Sequence, residues 1–286
     1  MWTRSFETYI PKPLVLPLNI GSRVISAIGA HGICIAGSGA GVAALVSTAL
    51  IGKVAPAFVA INFLIVFASY RIDYLAERLN SHRSINVAIT IGCFLLVFAV
   101  CCLISISTAL VSLLFPLSTF YYARPLIPGR VRAPKDIPFL KAIYTSGCWA
   151  ALVPFGMLYF SRWNFIESMW LGIFVFLRMF VNSVACDFKD MDADQARCIL
   201  TLQSWLGQTK TLLLLYIVNL VAALLMVMVV ILDQVPTSMA WLGLSAIWPA
   251  FYLDAINRGR GDLRLLSSTL IDGEFLLWIP LLAMAS

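Results

Sequence analysis

Asp187-Phe188-Lys189-Asp190-Met191-Asp192-Ala193-Asp194 places four carboxylates and a lysine directly after the mostly apolar run Leu171 to Ala185. As a helix, this stretch puts Asp187, Asp190 and Asp194 at i, i+3 and i+7 on one face, with Asp192 directed elsewhere. Three carboxylates on one face repel one another unless a cation lies between them. A hard divalent ion that takes oxygen ligands is the natural partner. The alternative is a solvated acidic loop between two membrane helices. Acidic residues are scarce here, 14 in 286, and this cluster closes an apolar run, which favours the metal site.

Outward from that stretch, 61% of the residues are apolar and only 12% are charged. A soluble domain of this length needs a polar skin that these residues cannot supply. The expectation is an all-α integral membrane protein, one membrane domain over residues 1–286. Five of the seven cysteines (Cys34, Cys93, Cys101, Cys102, Cys148) lie in apolar runs, and no CxxC pair occurs, which speaks against a zinc or disulfide framework. No short apolar core with a small-residue cleavage site opens the chain, so no removable signal peptide is expected.

Residues 1–25 mix Pro11, Pro13 and Pro17 with Arg4, Lys12 and Arg23, as an interfacial segment lying along the membrane surface would. Nine apolar runs of spanning length follow, at about 26–50, 54–72, 85–104, 107–123, 138–160, 164–185, 209–232, 236–255 and 267–285. The stretch 85–123 is too long for one helix and divides near Ser105-Ile106-Ser107. A bundle of nine transmembrane helices around a central apolar cavity is the expected architecture.

When alternate connections are assigned to opposite sides, nearly all the cations of 71–83, 124–141, 189–210 and 258–264 fall on one side. Lys53 and Arg162 alone fall on the other. That asymmetry puts the basic side, and the acidic stretches with it, in the cytoplasm. Most of these cations are then topology determinants and contacts to membrane lipid headgroups. Arg178 is the exception: it lies inside the sixth run and should face the bundle interior or a wet cavity. Despite a net charge of +6, no contiguous basic face lies outside the apolar runs, so nucleic acid is not an expected partner.

A second acidic element, Arg71-Ile72-Asp73-Tyr74-Leu75-Ala76-Glu77-Arg78-Leu79-Asn80, puts Asp73 and Glu77 at i, i+4 on one helical face. Two acidic helix ends facing each other across a bundle would hold Mg²⁺, which takes one or two carboxylates per ion plus phosphate oxygens. The arrangement would bind a diphosphate at the mouth of an apolar cavity. A proline-rich, cation-dense loop from Tyr121 to Lys135 leads to Ile137-Pro138-Phe139-Leu140-Lys141. Its Arg130, and Lys141 at the start of the next helix, would hold the remaining diphosphate oxygens and neutralise the leaving group. Topology signalling is the alternative for Arg130 and Arg132.

These stretches resemble the UbiA superfamily of intramembrane prenyltransferases. Asp187, Asp190 and Asp194 match its second motif, DxxDxxxD, and Thr201-Leu202-Gln203-Ser204-Trp205-Leu206-Gly207 is similar to the TLPxxLG-like segment that follows. Pro138 and Lys141 resemble the Pro-x-x-Lys of the preceding helix. The first motif, NDxxDxxxD, aligns with Ser69 to Glu77: Ser69-Tyr70 replaces Asn-Asp, Asp73 is kept, Glu77 replaces the last Asp, and Asn80 is kept. The following Arg-Pro segment is reduced to Ser81-His82-Arg83-Ser84. The resemblance covers essentially the whole chain and marks it as an atypical member.

The resemblance implies that Asp73, Glu77, Asp187, Asp190 and Asp194 hold Mg²⁺ on an isoprenyl diphosphate. Lys141, with Arg130 or Lys189, would stabilise the departing pyrophosphate. Tyr70, Tyr74, Trp149 and Phe188 are expected cavity-lining aromatics, able to stabilise an allylic cation, although each has core packing as its alternative. The cation then passes to an aromatic or lipid acceptor. Two alternatives stay open: cyclisation of farnesyl or geranylgeranyl diphosphate, and a non-catalytic prenyl-lipid binder. Among single residues, His31 lies in the Gly-rich first run, where close helix packing is expected. His82 flanks the first motif. Asn62 is expected either to face the cavity or to bond a neighbouring helix, and Asp272 and Glu274 to stabilise a helix dipole at the start of the last run.

Overall fold

The computed structural model describes residues 32–77, 83–124, 134, 137, 139–191, 201–260 and 262–284, with side chains for all of these except 73–77 and 83. Among the described residues the secondary structure is helical and no strand occurs. In chain order the helices are α1 (Ile33–Ile51), α2 (Pro56–Glu77), α3 (Arg83–Ile104), α4 (Ile106–Ser112), α5 (Leu114–Ala123), α6 (Leu140–Ala150) and α7 (Leu152–Tyr159). There follow α8 (Phe165–Asp187), α9 (Leu202–Leu206), α10 (Gln208–Ile231), α11 (Trp241–Leu244), α12 (Ile247–Asn257), α13 (Leu263–Leu266) and α14 (Trp278–Ala283).

Among the described residues, seven helical stretches are long and apolar enough to cross a bilayer: Ile33–Ile51, Ser84–Ile104, Ile106–Ala123, Phe165–Asp190, Gln208–Ile231, Thr237–Asn257 and Leu263–Ala283. The expected runs 54–72 and 138–160 are different. The apolar part of α2, Pro56–Ile72, is shorter, and the second run is interrupted between α6 and α7 at Ala151. The division of 85–123 falls where expected. Ser105 leaves the helix in an extended conformation (φ −164°, ψ 153°) and caps α4 by accepting from the Thr108 N–H at 3.1 Å.

α1 is the most enclosed span, and its small residues are the reason. A Cβ at Gly41 would stand 1.8 Å from the Phe275 carbonyl oxygen, and one at Gly39 would stand 2.5 Å from Val66 Cγ2. The expected close packing therefore holds, against α2 on one side and the last span on the other. Asn62 on α2 donates to the Phe58 carbonyl of its own helix at 2.8 Å. At the end of the bundle away from Asp187, Arg162 donates to the Leu50 carbonyl, so the neighbourhoods of the two cations assigned to the sparse side meet.

The last span departs from expectation. It begins at Leu263, and it is broken in the middle by a π turn (Ser267–Ile271) and a 3₁₀ turn (Glu274–Leu277). Asp272 and Glu274 therefore lie mid-span. Backbone carbonyls freed by such a break need partners where no water is available. Three side chains supply them: Trp248 donates to Leu270 O at 2.8 Å, Asn182 to Ile271 O at 2.6 Å and Ser38 to Asp272 O at 2.5 Å.

Candidate functional site

α8 ends on Asp187, and the chain tightens into a 3₁₀ turn over Phe188–Asp190. Residues three apart eclipse in a 3₁₀ turn, so Asp187 and Asp190 stay on one side, as the spacing predicts. α6 packs along α8 and brings Lys141 to the same level. The Lys141 ammonium Nζ stands 2.6 Å from Asp187 Oδ1, with 28% of the lysine side chain and 9% of the aspartate exposed. Phe139, just before α6, takes a left-handed conformation (φ 62°) and sets its ring edge-on to Trp205 at 5.3 Å.

Between these elements lies a cavity of about 350 Å³. Lys141 and Asp187 form its polar end; Phe139, Ile143, Phe180, Val184, Leu202 and Trp205 are among its apolar walls. Phe139, Ile143 and Trp205 are themselves exposed at its rim. Thr201 is the other polar residue in the lining.

The Thr201 to Gly207 stretch seats the returning chain against Asp187. Thr201 and Ser204 close a capping box, with Thr201 N–H to Ser204 Oγ at 2.8 Å and Ser204 N–H to Thr201 Oγ1 at 3.3 Å. Gln203 donates to the Val184 carbonyl at 2.7 Å, one turn before Asp187. Gly207 then turns the chain into α10 at φ 79°, ψ 158°, a region essentially confined to glycine.

Other expected site residues fall elsewhere. Lys189 donates to Ser267 Oγ on the last span at 2.9 Å, on the side of α8 away from the cavity walls. Trp149 is packed edge-on to Phe275 at 5.9 Å in the larger core, and Phe188 is buried in the smaller one, which also holds Tyr252. Tyr70 is half-exposed and lies against Gly32, where a Cβ would stand 2.5 Å from its ring. Arg130, Asp192 and Asp194, and the side chains of Asp73, Tyr74 and Glu77, lie outside the described residues. Among the described residues no group of three or more His, Cys, Asp or Glu could hold a metal. Asp187 and Asp190 supply the hard oxygen donors that Mg²⁺ takes one or two at a time.

A second polar assembly lies deeper. Arg178 faces the bundle interior, as expected, and its guanidinium donates to Glu274 Oε1 at 2.7 Å, Ser245 O at 3.0 Å and Asn219 Oδ1 at 2.6 Å. Glu274 Oε2 accepts from Tyr252 at 2.9 Å and Asn182 at 3.2 Å. Both charged side chains are 1% exposed. Glu274 is thus an ion-pair partner, where a helix-dipole role was expected. Two opposite charges, each inside an apolar run, were the sequence signal for this pair.

No family model matches the chain, and no curated protein matches it in sequence. A solved structure of digeranylgeranylglyceryl phosphate synthase, described in membranes, superposes with a TM-score of 0.55. The match covers 92% of this chain and 96% of that one, at 13% identity. The two proteins share a fold. With seven long apolar helices and that fold, the chain is a multi-pass integral membrane protein.

Proposed function

We propose that the chain is an atypical prenyltransferase of the UbiA type, which ionises an isoprenyl diphosphate at Asp187 and Lys141 and transfers the prenyl group to an aromatic or lipid acceptor. The observation that carries this reading is the Lys141–Asp187 pair at the polar end of the apolar cavity. The shared fold supports it. So does the family pattern at Asp187, Asp190 and Asp194, followed by Thr201 to Gly207. In this reading α2 and the α6–α7 pair also cross the bilayer, making nine spans, and the acidic stretches face the cytoplasm.

Asp187, Asp190 and Asp194, together with Asp73 and Glu77, would hold Mg²⁺, which would neutralise the diphosphate and make it a better leaving group. Lys141 would stabilise the charge that develops on the bridging oxygen. Arg130 is the second cation proposed for the diphosphate; Lys189, bonded to Ser267, would have to turn to join it. The allylic C–O bond breaks and pyrophosphate leaves with the bonding pair. The cation is captured by the acceptor's nucleophilic atom, which then loses its proton. Apolar walls such as Val184, Leu202 and Phe180 keep water from quenching the cation first.

The test uses purified protein in lipid nanodiscs with Mg²⁺ and farnesyl or geranylgeranyl diphosphate. Pyrophosphate release that needs an added acceptor and stops on chelation is the expected result. Release with a hydrocarbon product and no acceptor would replace transfer by cyclisation. Binding without release would make the chain a non-catalytic prenyl-lipid binder.

A further inference from the structure

α8 carries two different faces. Phe180, Val184 and Asp187 line the cavity. On the other, Arg178, Asn182 and Cys186, continued by Lys189 in the 3₁₀ turn that follows, form a polar ladder, and each rung meets the last span. Arg178 meets Glu274, Asn182 meets the Ile271 carbonyl, Cys186 lies 3.6 Å from Asp272 Oδ1 and 3.3 Å from Ser267 Oγ, and Lys189 bonds the same Ser267. We propose that Arg178, Asn182 and Glu274 are positioning residues: a lock that fixes the rotation and height of α8 against the broken last span, and so fixes where Asp187 faces Lys141.

The physical case rests on what a slip would do. Rotating α8 by one residue, about 100° and about 1.5 Å along the axis, would carry Asp187 away from Lys141 and turn Cys186 towards the cavity. It would also pull the Arg178 guanidinium from its acceptors, leave Glu274 with Tyr252 alone and leave the Ile271 carbonyl without Asn182, all in a water-free interior. Apolar side chains hold a register less firmly in a bilayer, because lipid tails are as apolar as they are and no hydrophobic force drives helices together there. A buried pair adds little net stability over well-packed apolar residues, so its effect is to specify one register. The break in the last span belongs to the same device: the carbonyl that Asn182 binds is the final residue of the π turn.

Only the kinetic part of this inference rests on the proposed function. Native Cys186 reports the register without any turnover. The protein in nanodiscs is treated with a membrane-permeant maleimide, and labelling at Cys186 is followed by peptide mass spectrometry. Wild type should label slowly. An Arg178→Met, Glu274→Met double variant, which removes both charges together, should label at least 10-fold faster. Asn182→Leu, which keeps the ion pair, should label several-fold faster and serves if the double variant does not fold. The same variants should lose turnover with little change in KM, and Asn182→Gln should recover part of it. Unchanged Cys186 labelling in the folded variants overturns the lock. Faster labelling with unchanged turnover upholds the lock but removes Asp187 from the chemistry, and then the proposed function fails.

Discussion

Replacing Asp187 by Asn and Lys141 by Met, singly and together, tests whether this pair is the polar anchor of the site. The contact is short, 2.6 Å, and only partly wet, since the aspartate is 9% and the lysine 28% exposed. Two unit charges about 4 Å apart attract by about 4 kcal/mol at an effective dielectric near 20, before desolvation is subtracted. Net values for hydrogen bonds to charged groups run at about 1.5–3 kcal/mol, and exposed pairs at about 0.2–1 kcal/mol. Water reaching the lysine places this pair between the two classes, at a coupling of about 1–2 kcal/mol. Each kcal/mol corresponds to about 2–4 °C in Tm for a chain approaching this size. Thermal unfolding in nanodiscs, followed by the fluorescence of the eight tryptophans, should therefore show the double variant more stable than the two losses summed. Additivity to within about 0.3–0.5 kcal/mol would refute the pair. In turnover, each single variant should lose about 10²–10³-fold, as loss of one charge-stabilising group does elsewhere. The double variant should lose less than the product of the two, because the groups act as a unit. Activity retained in Asp187→Asn would refute the proposed chemistry.

Glu77→Gln should reduce Mg²⁺-dependent turnover more than Asp192→Asn, because only Glu77 shares a helical face with another motif carboxylate; equal tolerance in a pyrophosphate-release assay would remove the two-motif arrangement. Changing Ser69-Tyr70 to Asn-Asp, the residues of the UbiA pattern at these positions, should alter rate or product if the proposed function holds, and an unchanged product profile would make the departure neutral. Gly207→Ala forces a side chain into a conformation that costs about 1–3 kcal/mol, so thermal scans should show a clear loss of stability with no new contact to offset it. Gly41→Ala puts a methyl 1.8 Å from the Phe275 carbonyl oxygen; separating α1 from the last span should lower Tm by more than any other Gly→Ala change in α1.

Spans and breaks were legible where physical chemistry is local. Ser105 ended a helix because its hydroxyl can cap the next one, and the glycines of α1 marked close approach because a Cβ there has no room. The meeting of Lys141 with Asp187 was legible only as two helix ends expected at one membrane face. Its pairing distance and the walls around it depend on Phe139 and Trp205, which come together across more than sixty residues of chain. The aromatics chosen as lining went the other way. Trp149 and Phe188 have the composition of cavity walls, but composition does not tell a wall from a core, and both are buried. The π turn at Ser267–Ile271 left no local signal either: its sequence is that of an ordinary apolar helix with hydroxyls, and its stability comes from Asn182, Trp248 and Ser38 on other spans.

The helical period explains why Asp187 and the lock had to be read together. Positions 178, 182 and 186 advance by four residues each and stay on one stripe of a 3.6-residue helix, with 189 continuing it into the 3₁₀ turn, while 180, 184 and 187 advance by four and three on another. In a water-soluble helix one stripe would be polar for solvent and the other apolar for the core. In α8 both stripes are enclosed, and each polar residue on the ladder is matched to a partner on the last span. A membrane helix that only needed to be stable could have filled that stripe with leucine. A helix that must present Asp187 at one height and one angle gains from partners that fit in a single register. The break in the last span supplies such partners, because an intact helix would have kept the Ile271 carbonyl for itself.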